Sequence, residues 1–535
     1  MSGAILSTLK VPKPRFLYAI IFCFLLPPVN SKPFNSIVCR NFLANHPSNT
    51  TYLSPGSSEK YVQLSYDSCL VACGKDTRRF EDIIPRLNTW LLPVLFLLAS
   101  AQYPSAAEND RPFEKVRRKA VVCFEALAHI LGDPVNYTYT LLSQVENWKA
   151  CHNLASNLPR SLEDENIPDV AQIQNVAIIL AAVERVFDHL ENHEKARQYF
   201  EIILDTLKKR PGDMATAIKD EAKIARDFAI VRTRHLAPAI FAIAFYAWQV
   251  VGAFVPVIGA SPSPSGGRVA TALTLSWIIC IVLFGNTVGE VASRTAYENT
   301  IKNYIEERLP TNVQQGTSTS QADTVDIGQL VQACLGTTYY TGYCHSLARN
   351  APESAENELP LNARLQHEIM HRRHSRHLLR ALAHMPVFVA VVCALAVTSL
   401  PPTYFSVRHG FFFGVGIMYH IISPTLTLIL LHRWRSLRAV RWKNAVIALC
   451  MIGLFVANSC GLFFNNCRGW TTIFPRNHGV VLFSEWNYYR NGHLVFPTIT
   501  SICVGTQVLL CVALSRLSSE GLGIMRWRTH LVEFS

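Results

Sequence analysis

Beyond residue 235 the chain alternates long apolar stretches with polar connections. The apolar stretches are Leu236 to Val257, Val269 to Val288, Met385 to Tyr404, Phe411 to Leu431, Asn444 to Phe464 and Leu494 to Ser515. Each supplies about the 20 residues that carry a helix through hydrocarbon with its backbone polar groups satisfied internally. A shorter run, Leu87 to Gln102, begins behind Arg86 and has a firm apolar core only from Trp90 to Ala101. Near the start, Lys10, Lys13 and Arg15 precede the eleven-residue run Phe16 to Leu26, which is followed by Pro27-Pro28-Val29-Asn30-Ser31. A basic lead, a short apolar centre and a small residue at the cut predict a secretory signal over 1–31, because the run is too short to cross a bilayer.

Charge placement orders these stretches. The connection His432 to Lys443 (HRWRSLRAVRWK) carries five Lys/Arg and no acid, and Arg372, Arg373, Arg376 and Arg380 lead into Met385. Such basic connections stay in the cytoplasm. With the mature N-terminus outside, both reach the cytoplasm only if Leu87 to Gln102 also crosses. The predicted fold class is therefore all-α, a polytopic transmembrane helix bundle of about seven spans with a helical cytoplasmic insert. Its order is an outer Cys-bearing segment (32–86), a weak first span (87–102) and a cytoplasmic helical region (103–235). Spans two and three follow (236–288), then a cytoplasmic loop (289–384), spans four to seven (385–515) and a cytoplasmic tail (516–535).

Composition agrees with this reading. The 535 residues are 50% hydrophobic and 16% charged, with mean hydropathy +0.18, where soluble domains carry about a quarter charged residues. The net charge of +12 sits beside apolar runs rather than in basic stripes interleaved with aromatics. That pattern predicts the lipid bilayer and anionic lipid headgroups as partners and argues against nucleic acid.

On the outer side, Cys39, Cys69, Cys73, Cys460 and Cys467 are disulfide candidates, an odd set whose pairing the sequence leaves open. The sequon at Asn49 lies outside and is the expected glycosylation site, whereas the sequon at Asn136 falls in the cytoplasmic region and goes unused. Within that region Ile173, Val176, Leu180, Val183, Phe187 and Leu190 form one helical stripe, and Phe200, Ile203, Leu204 and Leu207 a second. These predict a small helical domain packed under the bundle. The stretch Thr311 to Thr324 is polar and reads as a linker.

One motif has the form of an enzyme site. His367-Glu368-Ile369-Met370-His371 puts two histidines four apart on a helix, where they can share zinc while Glu368 acts as base on the bound water. Against it, the surroundings are histidine-rich, Arg372 and Arg373 follow directly, and no third ligand stands out among Glu353, Glu356 and Glu358. The plainer reading is a basic amphipathic helix at the membrane surface. Cys334 and Cys344-His345 match no zinc spacing, and no phosphate-cradling or nucleotide-binding glycine loop is present, so no cofactor is expected. Inside the spans, His420 is the ionisable residue near mid-membrane, with Arg86 and Glu290 at ends. The sequence offers no buried carboxylate of the kind proton-coupled carriers use. Pro93, Pro256, Pro424 and Pro497 can kink helices, and Gly410, Gly414 and Gly416 suit close packing.

The segment Tyr66-Asp67-Ser68-Cys69 with Cys73-Gly74, then Asp82-Ile83 and Arg86-Leu87 before Trp90-Leu91-Leu92-Pro93, resembles multispan integral membrane proteins of filamentous fungi. Leu131-Gly132-Asp133-Pro134 adds to the likeness. That group has no assigned activity, so the resemblance implies a membrane bundle and no catalytic residues. Three functions fit the pattern: a non-enzymatic receptor or scaffold, a solute carrier or channel, and a membrane zinc protease.

Overall fold

The computed structural model describes residues 61–64, 94–101, 112–156, 169–187, 214–230, 232–233, 236–252, 265–288, 290–291, 362–399, 405–434, 437–459, 480–483 and 485–519, with isolated positions 67, 70, 203, 204, 207, 300 and 304. Helix dominates among them, and strands are confined to two short antiparallel pairings. β1 (Tyr61–Leu64) pairs with β4 (Val480–Phe483), and β2 (Arg232–Thr233) with β3 (Glu290–Val291).

Five helices are long and apolar enough to cross a membrane: Val269–Val288, His377–Thr398, Val407–Leu430, Arg438–Val456 and Val495–Leu517. They lie within larger elements. In chain order these are α1 (Pro112–Gly132), α2 (Pro134–Ser156), α3 (Asp169–Phe187), α4 (Met214–Ile230) and α5 (Leu236–Gly252). The bundle continues with α6 (Ser265–Thr274), α7 (Trp277–Val288), α8 (Asn362–Thr398) and α9 (Val407–Ile417). A π-turn (Met418–Ile422) then leads into α10 (Ser423–Trp434), followed by α11 (Leu437–Ser459) and α12 (Glu485–Leu517).

The helices overrun the apolar runs at their polar ends, because basic residues continue a helix as well as apolar ones do. α8 ends at Thr398 rather than at Tyr404, ahead of Pro401 and Pro402, since a residue before proline disfavours the helical region. α11 begins at Leu437 and carries most of the basic connection into the bundle. α5 is 17 residues long, and residues 94–99 of the weak first run are helical, with Val94, Leu97 and Leu98 in the core.

The span Val269–Val288 is the centre of the bundle: 83% of it is buried, against 28% for each of the last three spans. It bends at Leu275–Ser276, where Leu275 N–H reaches the Ala272 carbonyl and Ser276 N–H the Leu273 carbonyl in tightened turns. Tyr246 Oη on α5 donates to the same Ala272 carbonyl (2.6 Å), giving it a second partner and tying α5 to the bend.

The insert differs from its expected one-sided stripe. In α3 every residue from Asn175 to Val183 is buried, because the sequence NVAIILAAV is apolar around nearly the whole helix. A helix apolar all round needs cover on all sides. α2 and α4 cover it, while α2 packs in turn on α8 and α7. The expected second stripe contributes Ile203, Leu204 and Leu207 to the same core. Asn136, whose sequon is expected to go unused, stands in the first turn of α2 with its Nδ2 buried. Cys39, Cys69, Cys73, Cys460, Cys467 and Asn49 lie outside the described residues.

Candidate functional site

The site grows from a local helix start. Asp133 separates α1 from α2 and caps the latter: its Oδ1 accepts from Asn136 N–H (3.2 Å) while Pro134 opens the first turn. Its second carboxylate oxygen points away from α2, into the spans. Oδ2 accepts from Thr427 Oγ1 (2.6 Å) on α10 and from Lys443 Nζ (2.7 Å) on α11. One side chain thus joins the insert to two apolar helices.

Lys443 completes the cluster. Besides Asp133, its ammonium donates to Thr427 Oγ1 (2.7 Å) and Ser423 Oγ (2.8 Å), with the Ser423 carbonyl at 3.2 Å. Ser423 Oγ donates onward to the Gly132 carbonyl (2.8 Å). The Asp133 side chain is fully buried and that of Lys443 is 7% exposed. Both carboxylate oxygens and all three ammonium protons have partners, which a desolvated ion pair requires.

The approach that allows this is made by glycine. α1 lies along α11, and a Cβ on Gly132 would overlap the Asn444 backbone carbonyl. Glu125 meets Arg441 at 3.5 Å at the other end of the same contact. His129, one turn before Asp133, is 1% exposed and stands edge-on to Tyr137 (5.3 Å between centroids). Neither of its ring nitrogens finds a hydrogen-bond partner among the described residues. Burial pushes this imidazole down to about 4, against the pull of Asp133 and with a push from Lys443.

A second pair lies one turn deeper along the same helix. His420, in the π-turn, and His384, on α8, meet Nδ1 to Nδ1 at 2.9 Å with rings stacked at 5.2 Å. Tyr419 beside it is 1% exposed and faces Trp277 edge-on (5.9 Å). Thr427, Ser423 and Tyr419–His420 make one polar stripe down the α10–π-turn helix.

The sequence singled out His420 and missed the rest. Lys443 read as part of a basic connection and Asp133 only as part of Leu131-Gly132-Asp133-Pro134; the buried carboxylate lies at the α1–α2 joint, outside the runs read as spans. The available signals were an N-cap Asp before Pro, behind a glycine, and Ser423 and Thr427 one turn apart on an apolar helix. Of the three glycines expected to pack closely, Gly416 faces a neighbour, since a Cβ there would stand 3.3 Å from a Val391 methyl, while a Cβ on Gly414 would meet nothing within 4 Å. Positions 367 and 371 fall one turn apart in α8, but the side chains of His367, Glu368 and His371 lie outside the described residues. Among the described residues no three His, Cys, Asp or Glu side chains gather as a metal site. No protein-family model, curated protein or solved structure matches this chain.

Proposed function

We propose that the protein is a non-enzymatic, receptor-like membrane protein in which an inner helical domain is coupled to a seven-span bundle through Asp133. The observation that carries this reading is the double duty of one carboxylate, which caps α2 and anchors α10 and α11. A movement of either anchoring helix changes the cap of the insert, which is how a local shift becomes a change of state.

The two strand pairings support the seven-span order. β1 with β4 joins two segments that order assigns to the outer side, and β2 with β3 joins two assigned to the inner side. The contacts of Asp133 with Lys443, Arg380 with Tyr139 and Asn286 with Ser100 all link ends that the same order puts inside. The exposed Trp442 and the arginines around it then lie at the inner headgroup level, where anionic lipids gather.

A tagged full-length chain in sealed membranes tests this order. Asn49→Gln removes an endoglycosidase-sensitive shift, Asn136→Gln changes nothing, and a C-terminal tag is protected from added protease. Glycan on Asn136, or an accessible tag, defeats the proposal. A carrier is the second reading, favoured by the intramembrane histidine pair. Solute flux driven by a pH gradient in reconstituted vesicles would select it over the receptor-like one.

A further inference from the structure

His384 and His420 have a geometry that limits how many protons they hold. Two Nδ1 atoms 2.9 Å apart need one hydrogen between them and have no room for two. In the neutral pair, one ring donates from Nδ1 and keeps a lone pair on Nε2, and the other accepts at Nδ1 and carries its hydrogen on Nε2. A third proton can add to the free Nε2 of the donating ring, giving a single cation that keeps the Nδ1–H···Nδ1 bond. A fourth would put hydrogens on both Nδ1 atoms and force the rings apart.

The setting is built for such a load. His420 stands in the five-residue π-turn, a form of helix that accumulates at functional sites because it is costly to keep. The Nε2 atom of His420 is buried with no partner among the described residues. Around the pair, Asp133 stands at the insert joint, paired with Lys443 of α11; Arg380 lies one turn before His384 on α8, over the Tyr139 ring of α2; and Tyr419 adjoins His420 in the π-turn. Asp133 is within electrostatic reach of His384 and Tyr419. The Lys443–Asp133–Thr427–Ser423 hydrogen-bond cluster ends one helical turn from His420.

We propose that His384 and His420 form a proton-binding site inside the bundle, which takes one proton with the π-turn closed and opens the turn when a second arrives. The ligand is the proton itself, supplied by water and returned to it, with no other bond made or broken.

Hydrogen exchange read by mass spectrometry on the full-length protein in detergent tests this, following peptides that cover 416–424. After correction for the intrinsic rate, protection in the wild type falls roughly tenfold or more between about pH 7.5 and about pH 4, because a second charge on a buried pair arrives only in acid. In H384Q/H420Q the same peptides exchange equally at both pH values, and H384Q alone behaves like the double variant because the repulsion needs two rings. Equal protection of the wild type at both pH values overturns the proposal without recourse to any variant. So does a double variant that keeps the acid-induced loss.

Discussion

Lys443 and Asp133 show how unequal the two ways of changing a buried ion pair are. Lys443→Met leaves a fully buried carboxylate with one fewer strong donor, which costs about 3–5 kcal/mol. Adding Asp133→Asn removes the stranded charge while keeping a capping oxygen for α2, so D133N/K443M regains most of that loss. Thermal denaturation in detergent checks the order: wild type and double variant close together, K443M well below both. Gly132→Ala acts by a different route, pushing a methyl into the Asn444 carbonyl, and lowers the yield of monodisperse protein in size-exclusion chromatography. His129 gives the residue scale its pH signature, since it lies outside the five spans and is held near 4 in the fold against 6.5 when free. A lowered value means the neutral form is the folded one. Its stabilising effect is complete above about pH 6.5 and is lost as pH falls toward 4, at about 1.4 kcal/mol per pH unit and about 3 kcal/mol in all. His129→Leu flattens that part of the stability profile measured by thermal denaturation between pH 7 and pH 4.5.

At the level of elements, the sequence was readable wherever length and apolarity alone decide the outcome. The third predicted span, Val269 to Val288, lies in a helix that starts four residues ahead of it, at Ser265, and ends at Val288 as the run predicts. The other spans begin or end elsewhere for identifiable reasons: a Pro-Pro pair stops α8, and basic residues extend α11. α3 was legible as a helix and illegible as a central one, since a stripe drawn through Val176, Leu180 and Val183 hides the apolar residues between them. The π-turn has no sequence signature at all; it depends on how α9 and α10 meet α8. The joint at Asp133 was illegible for a physical reason too. Lys443 stood among basic residues that the expected membrane orientation already explained, Asp133 stood in a stretch free of other charges, and only the fold brings them within 2.7 Å. The exposed faces of α8, α10, α11 and α12 carry Phe388, Leu428, Leu449 and Leu509, which is the outward apolarity a helix in lipid shows.

Taken whole, the molecule is a bundle around one nearly buried helix, with an insert keyed to its surroundings by a fully buried carboxylate at Asp133. The partners in that key are 310 residues apart. A ribosome adding about 5–20 residues each second takes on the order of 15–60 s to travel from Asp133 to Lys443. Throughout that interval the carboxylate has no cation, and the insert cannot dock without burying a bare charge. In the seven-span order proposed above, the nascent insert waits in water while the later helices are threaded into the membrane, with α3 in need of shelter from other chains. Synthesis stopped anywhere before residue 443 would leave a full set of early helices and no lock, a species for quality control to recognise by its undocked, protease-sensitive insert. The order in which the chain is made thus becomes a checkpoint on progress: only a chain extended past Lys443 can close over Asp133.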